Sequence, residues 1–412
     1  MHWHTSTGFG PWLVEHNVHP RHVPGSDPWC VEYSVRPLMR RALLAAVVAL
    51  AVAVAAPVKA SSPSPVVDAA AWYLEGHDGV LLAGRNEHEQ RSIASITKLM
   101  TAIVVLERAR LSDVVRVSPR AAGVGESTVY LTEGEELTVA ALLRAMLVRS
   151  ANDAAEALAL HVGKGSTSRF VALMNAKGEE LGFADTNFVN PHGLDARGHV
   201  SSARDATALV RYALGVSFIR DALSRSTVSL PGGRVFPTTD DLLVSWPALV
   251  GGKTGHTRDA GWSQAAAARG GGATVYGTVL GSTARSSRND ALRELLAFGL
   301  EQYRRTTAID ASRVYAEAET GYGRAPVELV APHAVVRTVR LGTPLVERVI
   351  APSSVALPVR KGQRLGRVEV YDGNRLVASS NLVAAAAVTE PGLLGKARWY
   401  ATQTAENLWG II

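Results

Sequence analysis

The spacing of hydrophobic positions predicts a mixture of helices and strands between about residues 66 and 308. Residues 273–280 form an apolar run of strand length, and 289–303 have the length and pattern of a helix. A strand pair with a turn at His77-Asp78-Gly79 is predicted over 71–82. Two helical patterns lie at Val139–Val148 and 154–161, and a third has apolar positions three or four residues apart: Ile96, Leu99, Met100, Ile103 and Leu106. Since helices and strands do not alternate strictly, the pattern favours an α+β fold over a doubly wound α/β fold.

The pattern changes after residue 308. Short valine-rich runs of strand length, separated by glycine and proline, continue to about residue 389; examples are 335–341, 346–350, 355–359 and 368–371. Asp372-Gly373 is typical of a hairpin turn. These features predict a small all-β domain over 309–389, after a larger domain over 61–308.

The last segment, 390–412, has a helical pattern of its own. Its apolar positions fall on one helical face: Leu393, Leu394, Ala397, Tyr400, Ala401, Ala405, Leu408, Ile411 and Ile412. Two interpretations stay open. The helix packs on the β domain, or it lies at a membrane surface with Trp399 and Trp409 near the lipid headgroups.

The beginning of the chain has the pattern of an export signal. Arg40 and Arg41 precede an uncharged apolar run over 42–58, and Val58-Lys59-Ala60 provides a cleavage site. We therefore expect 39–60 to be a signal peptide, with an uncleaved anchor as the alternative. Residues 1–38 are rich in His, Trp and Pro, and we expect them to be a mis-called extension ahead of a true start at Met39.

Composition narrows the class of protein further. The chain has 412 residues, 47% of them hydrophobic and 19% charged, which excludes a disordered chain and allows two or three domains. The net charge of +6 has no long block of one sign, so it does not indicate a nucleic-acid partner. Cys30 is the single cysteine, which excludes an intrachain disulfide framework and a zinc site with several cysteines. Because Cys30 precedes the predicted signal, the exported chain would have no thiol nucleophile.

Ser95 and Lys98 form the first candidate catalytic motif. Residues three apart on a helix lie on one face, so the Lys98 amine can reach the Ser95 hydroxyl. A lysine shielded from water has a lowered pKa and can accept the proton of a serine nucleophile. Alone, the Ser-x-x-Lys pattern is common by chance.

Two further motifs follow it. Ser150-Ala151-Asn152 lies in the break between two predicted helices, where a hydroxyl and an amide can relay a proton and hold a substrate backbone. Lys253-Thr254-Gly255 precedes a predicted strand and offers a cation, a hydroxyl and a close backbone approach for an anionic peptide end. Gly252-Lys253-Thr254 is not a phosphate-binding loop, because Pro247 stands where that motif needs glycine. Together, S-x-x-K, S-x-N and K-T-G in this order form a specific set.

With these motifs the sequence resembles the low-molecular-mass penicillin-binding proteins, the serine D-alanyl-D-alanine carboxypeptidases of bacterial wall metabolism. The resemblance spans about residues 70–300, and the β domain and tail match the usual C-terminal part of the family. The matching blocks are 94–101 (ASITKLMT), 150–155 (SANDAA), 190–194 (NPHGL), 201–205 (SSARD) and 253–257 (KTGHT). It implies a penicillin-binding, β-lactamase-like domain with an antiparallel sheet flanked by helices, followed by the all-β domain. The segment 238–240 reads Thr-Thr-Asp, where the family often has Asn-Thr-Asn.

The resemblance also implies the catalytic roles. Ser95 would attack the carbonyl between two terminal D-alanines, and Lys98 would take its proton. Ser150 would relay a proton to the departing amine, and Asn152 would orient Lys98 and the substrate amide. The backbone N–H groups of Ser95 and His256 would form the oxyanion hole.

Substrate binding follows the same resemblance. Lys253, Thr254 and Gly255 would face the terminal carboxylate of the peptide or of a β-lactam, and Arg288 matches a family position near that carboxylate. The expected partners are peptidoglycan stem peptides and β-lactams, without a metal or cofactor. The expected location is the outer face of the bacterial cytoplasmic membrane or the wall space.

Other functions use related residues. A DD-endopeptidase that cuts peptide crosslinks would use the same catalytic groups and is the main alternative. A class A β-lactamase needs a Glu-x-x-Leu-Asn block, and Glu179-Glu180-Leu181-Gly182 does not fit it. His192, Asp195 and His199 lack a known metal-ligand spacing, so we expect a structural turn there.

Overall fold

The computed structural model describes residues 65–409, with side chains described to residue 406. The predicted extension, the signal peptide and Cys30 lie outside the described residues. The elements of the larger unit, in chain order, are β1 (Ala71–Gly76), β2 (Leu81–Arg85), a 3-10 turn (Ala94–Thr97), α1 (Lys98–Arg108), β3 (Val114–Arg116), α2 (Pro119–Ala122), β4 (Glu136–Thr138), α3 (Val139–Val148), α4 (Asn152–Val162), α5 (Thr167–Glu180), α6 (Ala203–Gly215), α7 (Ser217–Leu223), β5 (Thr227–Leu230), β6 (Arg234–Pro237), α8 (Asp241–Ser245), β7 (Leu249–Thr257), β8 (Gly261–Gly270), β9 (Ala273–Ser282) and α9 (Arg285–Glu301).

A central antiparallel sheet organises this unit. Within the described residues it has the strand order β2-β1-β9-β8-β7. Successive side chains of a strand point to opposite faces. Accordingly Ala71 and Tyr73 of β1 pack in one hydrophobic cluster, with α1 and α3–α6, while Trp72 and Leu74 pack in a second cluster, with α9. The predicted α+β class, with an antiparallel sheet flanked by helices, is confirmed.

The helix α1 is the central element of the first cluster. Its residues from Lys98 to Val105 are all buried, because α1 packs against α3, α4, α5 and α6. Lys98, at the first position of α1, is therefore shielded from water.

Two sequence-based boundaries are wrong. The helix predicted at 289–303 begins at Arg285 and ends at Glu301, because its polar first turn has no apolar periodicity to mark it. The strand predicted at 355–359 reduces to Ser354–Val355, which precedes Pro358, a residue that cannot donate to a sheet ladder. Because α9 begins at Arg285, Arg288 lies inside a helix.

An all-β unit follows α9, as predicted. Its strands are β10 (Tyr303–Ile309), β11 (Val314–Thr320), β12 (Val327–Val330), β13 (Val335–Arg340), β14 (Leu345–Ile350), β15 (Ser354–Val355), β16 (Arg364–Asp372) and β17 (Arg375–Ala384). In the described part of the chain, six strands form a sheet in the order β14-β16-β17-β12-β11-β15, and β10 pairs with β13. This unit has its own hydrophobic cluster. The exact boundary at 308 remains a prediction, and β10 extends across it.

The last helix, α10 (Leu393–Trp409), is largely exposed to solvent. Leu393 and Leu394 are 87% and 88% exposed, so these two side chains do not pack on the β unit, whereas Tyr400 contacts the ring of Tyr322. The aromatic ring of Trp399 contacts that of Tyr322, with 5.5 Å between centroids. Across the residues that the structure describes, no helix has the length and apolarity needed to cross a membrane.

Candidate active site

Ser95 and Lys98 lie together at the junction of the 3-10 turn and α1. The Lys98 Nζ donates hydrogen bonds to Ser95 Oγ at 2.7 Å, to Asn152 Oδ1 at 2.7 Å and to the His192 carbonyl at 2.5 Å. These three acceptors match the three donors of an ammonium group. Burial is the main cause that lowers the pKa of Lys98 well below its ordinary value, and the positive charge of Lys253 lowers it further. The arrangement is suited to proton transfer between the serine hydroxyl and the lysine amine.

Ser150 lies in the break between α3 and α4, as predicted, and Asn152 is the first residue of α4. Ser150 has a φ of 67°, a left-handed conformation that ends one helix before the next begins at Asn152. The Ser150 Oγ accepts a hydrogen bond from Lys253 Nζ at 2.9 Å. The Asn152 side chain accepts from Lys98 and donates from Nδ2 to the Gly125 carbonyl at 2.9 Å. The two residues thus contact different lysines.

Lys253, Thr254, Gly255 and His256 are successive residues of β7. Lys253 Nζ also donates to the Thr254 carbonyl at 3.0 Å. Burial lowers the pKa of Lys253 to about 7, with Asp240 opposing and Arg288 adding to the effect. The His256 ring stacks on that of Trp262 at 4.0 Å.

Gly255 brings β7 against the 3-10 turn. A Cβ at this position would lie 2.7 Å from the Ile93 carbonyl oxygen and 3.3 Å from the Ser95 nitrogen. Only glycine permits this approach without moving the backbone. The close contact places the strand beside the serine.

Arg288 lies in the first turns of α9 and is almost fully buried. Its guanidinium donates to Asn289 Oδ1, lies 3.6 Å from the Asp241 carboxylate and is 5.8 Å from the Trp262 ring centre. Arg285, one turn earlier, forms a bidentate ion pair with Asp241. Two arginines therefore stand on the α9 side of the site.

These groups surround one cleft of about 470 Å³. The predicted site residues that line it are Ser95, Ser150, Asn152, Thr254, Gly255, His256 and Arg288. Lys98 and Lys253 are fully buried below this lining and act on it through their hydrogen bonds to the two serines. The Nζ of Lys253 contacts the Ser150 hydroxyl, and the predicted role of Lys253 in facing a substrate carboxylate stays a prediction.

Several neighbours of the site have no clear sequence signal. The His192 carbonyl that accepts from Lys98 is a backbone group, and only packing places it there. Glu126 lines the cleft from the loop after α2, and Trp262 lines it from β8. Asp153 accepts hydrogen bonds from the N–H groups of Val129 and Leu131 and so holds the loop that contains Glu126. In the sequence, its position next to the S-x-N motif is the one feature that indicates a role near the site.

His192, Asp195 and His199 serve the local loop structure. His199 Nε2 bonds Thr97 Oγ1 at 2.8 Å, and its Nδ1 accepts from the Val189 N–H. Asp195 accepts from Thr257 Oγ1 at 2.6 Å. Among residues 65–406, no group of three or more His, Cys, Asp or Glu side chains is arranged to hold a metal ion.

A serine hydroxyl bonded to a buried lysine at the start of a helix, in a unit whose antiparallel sheet is flanked by helices, is typical of the class of serine hydrolases that use lysine as the base. Comparison with known proteins gives the family. Residues 56–284 match the family model described as D-alanyl-D-alanine carboxypeptidase, and 303–390 match that of the penicillin-binding protein 5 C-terminal domain. The chain belongs to the D-alanyl-D-alanine carboxypeptidase family of serine peptidases.

Individual relatives agree with this assignment. The D-alanyl-D-alanine carboxypeptidase DacD of Salmonella typhimurium is 30% identical over 385 residues, which cover 87% of this chain and 97% of the relative. DacF of Bacillus subtilis is 29% identical, covering 78% and 86%. Penicillin-binding protein 5 from Haemophilus influenzae superposes with a TM-score of 0.58 at 28% identity, over 79% of this chain and 99% of that structure. The resemblance inferred from the motifs is confirmed, and the chain is a hydrolase.

Proposed function

We propose that this enzyme removes the terminal D-alanine from peptidoglycan stem peptides through an acyl-enzyme on Ser95. The observation that supports it most directly is the 2.7 Å hydrogen bond between Ser95 Oγ and the fully buried Lys98 amine. Family membership supplies the reaction, and the hydrogen-bond network suggests the role of each residue.

In this mechanism neutral Lys98 takes the Ser95 proton as Oγ attacks the carbonyl between the two terminal D-alanines. The new Oγ–C bond and a tetrahedral oxyanion form together, and the backbone N–H groups of Ser95 and His256 are the proposed donors to that oxyanion. The C–N bond then breaks, and D-alanine leaves after its nitrogen receives a proton through Ser150. Water finally hydrolyses the ester and restores Ser95.

The terminal carboxylate is assigned to the β7–α9 side of the cleft. Thr254 and Arg288 line that side, and Arg288 provides a planar guanidinium that suits a carboxylate. Lys253 donates a hydrogen bond to the Ser150 hydroxyl and, when protonated, places a positive charge beside it. Asn152 holds Lys98 in place.

The first test is covalent labelling by a fluorescent penicillin. We expect the wild-type enzyme to be labelled and the Ser95→Ala variant to be unlabelled, since the variant has no nucleophilic oxygen. Ser168→Ala, at an exposed serine on α5, is the matched control and should be labelled like the wild type. Equal labelling of Ser95→Ala and wild type would refute the assignment of the nucleophile.

The second test measures the product. With a pentapeptide that ends in D-Ala-D-Ala, we expect release of one D-alanine per peptide, detected by a D-amino-acid assay. If the enzyme is labelled by penicillin but releases no D-alanine and instead cuts crosslinked dimers, the endopeptidase alternative applies.

The proposed location is the outer face of the cytoplasmic membrane or the wall space. The apolar segment 42–58 behind Arg40 and Arg41 supports export. The exposed apolar side chains Leu393, Leu394 and Tyr400 of α10 support attachment to a membrane surface.

A further inference from the structure

Asp240, the residue before α8, is a buried carboxylate with no role in the mechanism above. It is 4% exposed. One carboxylate oxygen, Oδ1, caps α8 by accepting from the N–H groups of Leu242 and Leu243 at 3.1 and 3.3 Å. The other oxygen, Oδ2, is also buried and has no hydrogen-bond partner within the described residues. An amide or hydroxyl oxygen caps a helix equally well, so the cap alone does not explain a buried charge.

The neighbours of Asp240 in the chain contact the two elements that carry the cations of the site. On one side, Thr239 Oγ1 shares a hydrogen bond of 2.8 Å with Oγ1 of Thr254 in β7. On the other side, the Asp241 carboxylate lies 3.6 Å from the Arg288 guanidinium of α9. Asp240 is therefore held between β7 and α9.

Gln264 of β8 provides a polar side chain on the same buried side. It pairs with Thr254 across the β7–β8 register, and residues opposite each other in a sheet project to the same face. Burial raises the pKa of Asp240, and the Gln264 amide opposes that rise, together with the positive charges of Arg288 and Lys253. The amide and the two cations therefore stabilise the ionised carboxylate.

The two cations need such an anion. Lys253 and Arg288 are each 1% exposed, and a buried charge is costly unless it is paired. Burial lowers the pKa of Lys253 to about 7, and the negative charge of Asp240 opposes that lowering. Burial also lowers the pKa of Arg288, and Asp240 and Asp241 oppose it. Asp241 is 40% exposed and bound to Arg285, so solvent screens its charge more than that of Asp240.

Building on the proposed function, we propose that Asp240 is a positioning residue whose carboxylate is the buried counterion of Lys253 and Arg288. It keeps the proton on Lys253, which donates to Ser150 Oγ at 2.9 Å, and so maintains the group that protonates the departing amine. It acts on Arg288 in the same way and maintains the positive charge of the carboxylate subsite. Lys98 of α1 is a further cation near Lys253, and when protonated it opposes this effect.

The test is the pH dependence of acylation by a fluorescent penicillin, measured as kcat/KM, in the wild type and in Asp240→Asn. The wild-type rate should fall on the alkaline side as Lys253 loses its proton. Asp240→Asn removes the negative charge, so Lys253 should lose its proton at a pH lower by about one unit. The rate at about pH 8 should then be about tenfold below that of the wild type.

Three further variants separate this effect from a change in the fold. Asparagine and serine both retain an oxygen that caps α8, and asparagine is the residue that the family often has here, so Asp240→Asn and Asp240→Ser should melt like the wild type and show the same alkaline shift. Asp221→Asn, at an exposed aspartate of α7 that pairs with Arg225, is the matched control and should keep the wild-type pH dependence. In the Lys253→Arg background, Asp240→Asn should leave the alkaline side unchanged, since arginine keeps its charge.

An alkaline limb that stays in place in folded Asp240→Asn would overturn the proposal. An equal loss of rate at every pH would also overturn it, since that result indicates a purely structural effect, and so would loss of folding in both Asp240 variants. Failure of the proposed function is a separate outcome: penicillin would leave Ser95 unlabelled, or the wild type would release no D-alanine while the pH profiles with penicillin stayed as expected.

Discussion

The two buried lysines of the site need opposite protonation states for their proposed roles. In the proposed mechanism Lys98 must be neutral to accept the Ser95 proton, whereas Lys253 acts through its positive charge. Burial disfavours the charged form of both side chains, and each lowers its cost by donating hydrogen bonds to nearby oxygens. One desolvated environment therefore holds two lysines whose useful protonation states are opposite.

This difference predicts a bell-shaped pH dependence for acylation by penicillin, measured as kcat/KM. The rate should rise with pH as Lys98 loses its proton, and fall as pH increases through about 7, where Lys253 becomes neutral. In Lys253→Arg the alkaline fall should disappear, since arginine keeps its charge over this range.

Thermal melting of Lys253→Arg supplies the control that the variant is folded. An alkaline limb that persists unchanged in this folded variant would show that another group causes it. The acid limb should be retained, because Lys98 is unaltered.

Among the elements, the site depends on the approach of β7 to the turn before α1. The spacing of Ser95 and Lys98 within one helical turn follows from local geometry. By contrast, the contact of Gly255 with Ile93 and Ser95 joins segments about 160 residues apart in the sequence. The oxyanion donors proposed here come from both segments, so their geometry depends on this contact.

Gly255→Ala tests the importance of that approach. A methyl group would lie 2.7 Å from the Ile93 carbonyl oxygen, so β7 must move away from Ser95. We expect the acylation rate with penicillin to fall about 100-fold, the cost of misplacing reacting groups by about 1 Å.

The matched control is Gly215→Ala at the end of α6, where an added methyl group contacts nothing within 4 Å. This variant should be acylated at the wild-type rate. Wild-type acylation of a folded Gly255→Ala variant would contradict the proposed role of the strand contact.

The whole molecule combines a catalytic unit built on two hydrophobic clusters with an all-β unit that has a third. Among the described residues, those that line the cleft all belong to the catalytic unit, from Ser95 to Arg288. The helix α10 follows the β unit in the chain, and its side chains Leu393, Leu394 and Tyr400 are exposed. Membrane attachment and catalysis are therefore expected to be separable.

Removal of 391–412 tests this separation. We expect the truncated protein to release D-alanine at the wild-type rate and to lose its binding to anionic phospholipid vesicles, measured by cosedimentation. Like the truncation, charged substitutions at Leu393 and Leu394 in the full chain should weaken vesicle binding. A truncated, signal-processed protein that still sediments with vesicles would contradict the role of α10.

Sequence by itself determined the features that depend on neighbouring residues. The periods of the apolar positions predicted the α+β class and the all-β unit, and the three motifs identified the family and the residues Ser95, Lys98, Ser150, Asn152 and Lys253. Such patterns are local, since a helix or strand brings together residues only two to four positions apart. Where the pattern was weak, as in the polar first turn of α9, the predicted boundary was wrong by four residues.

Only the tertiary structure decided which distant groups meet. It placed the His192 carbonyl on Lys98 and directed Lys253 to Ser150, and it brought Glu126 to the edge of the cleft. These contacts depend on how the helices pack on the sheet and on hydrogen bonds between separate loops. No spacing along the chain encodes such an approach, because it results from the packing of the whole domain.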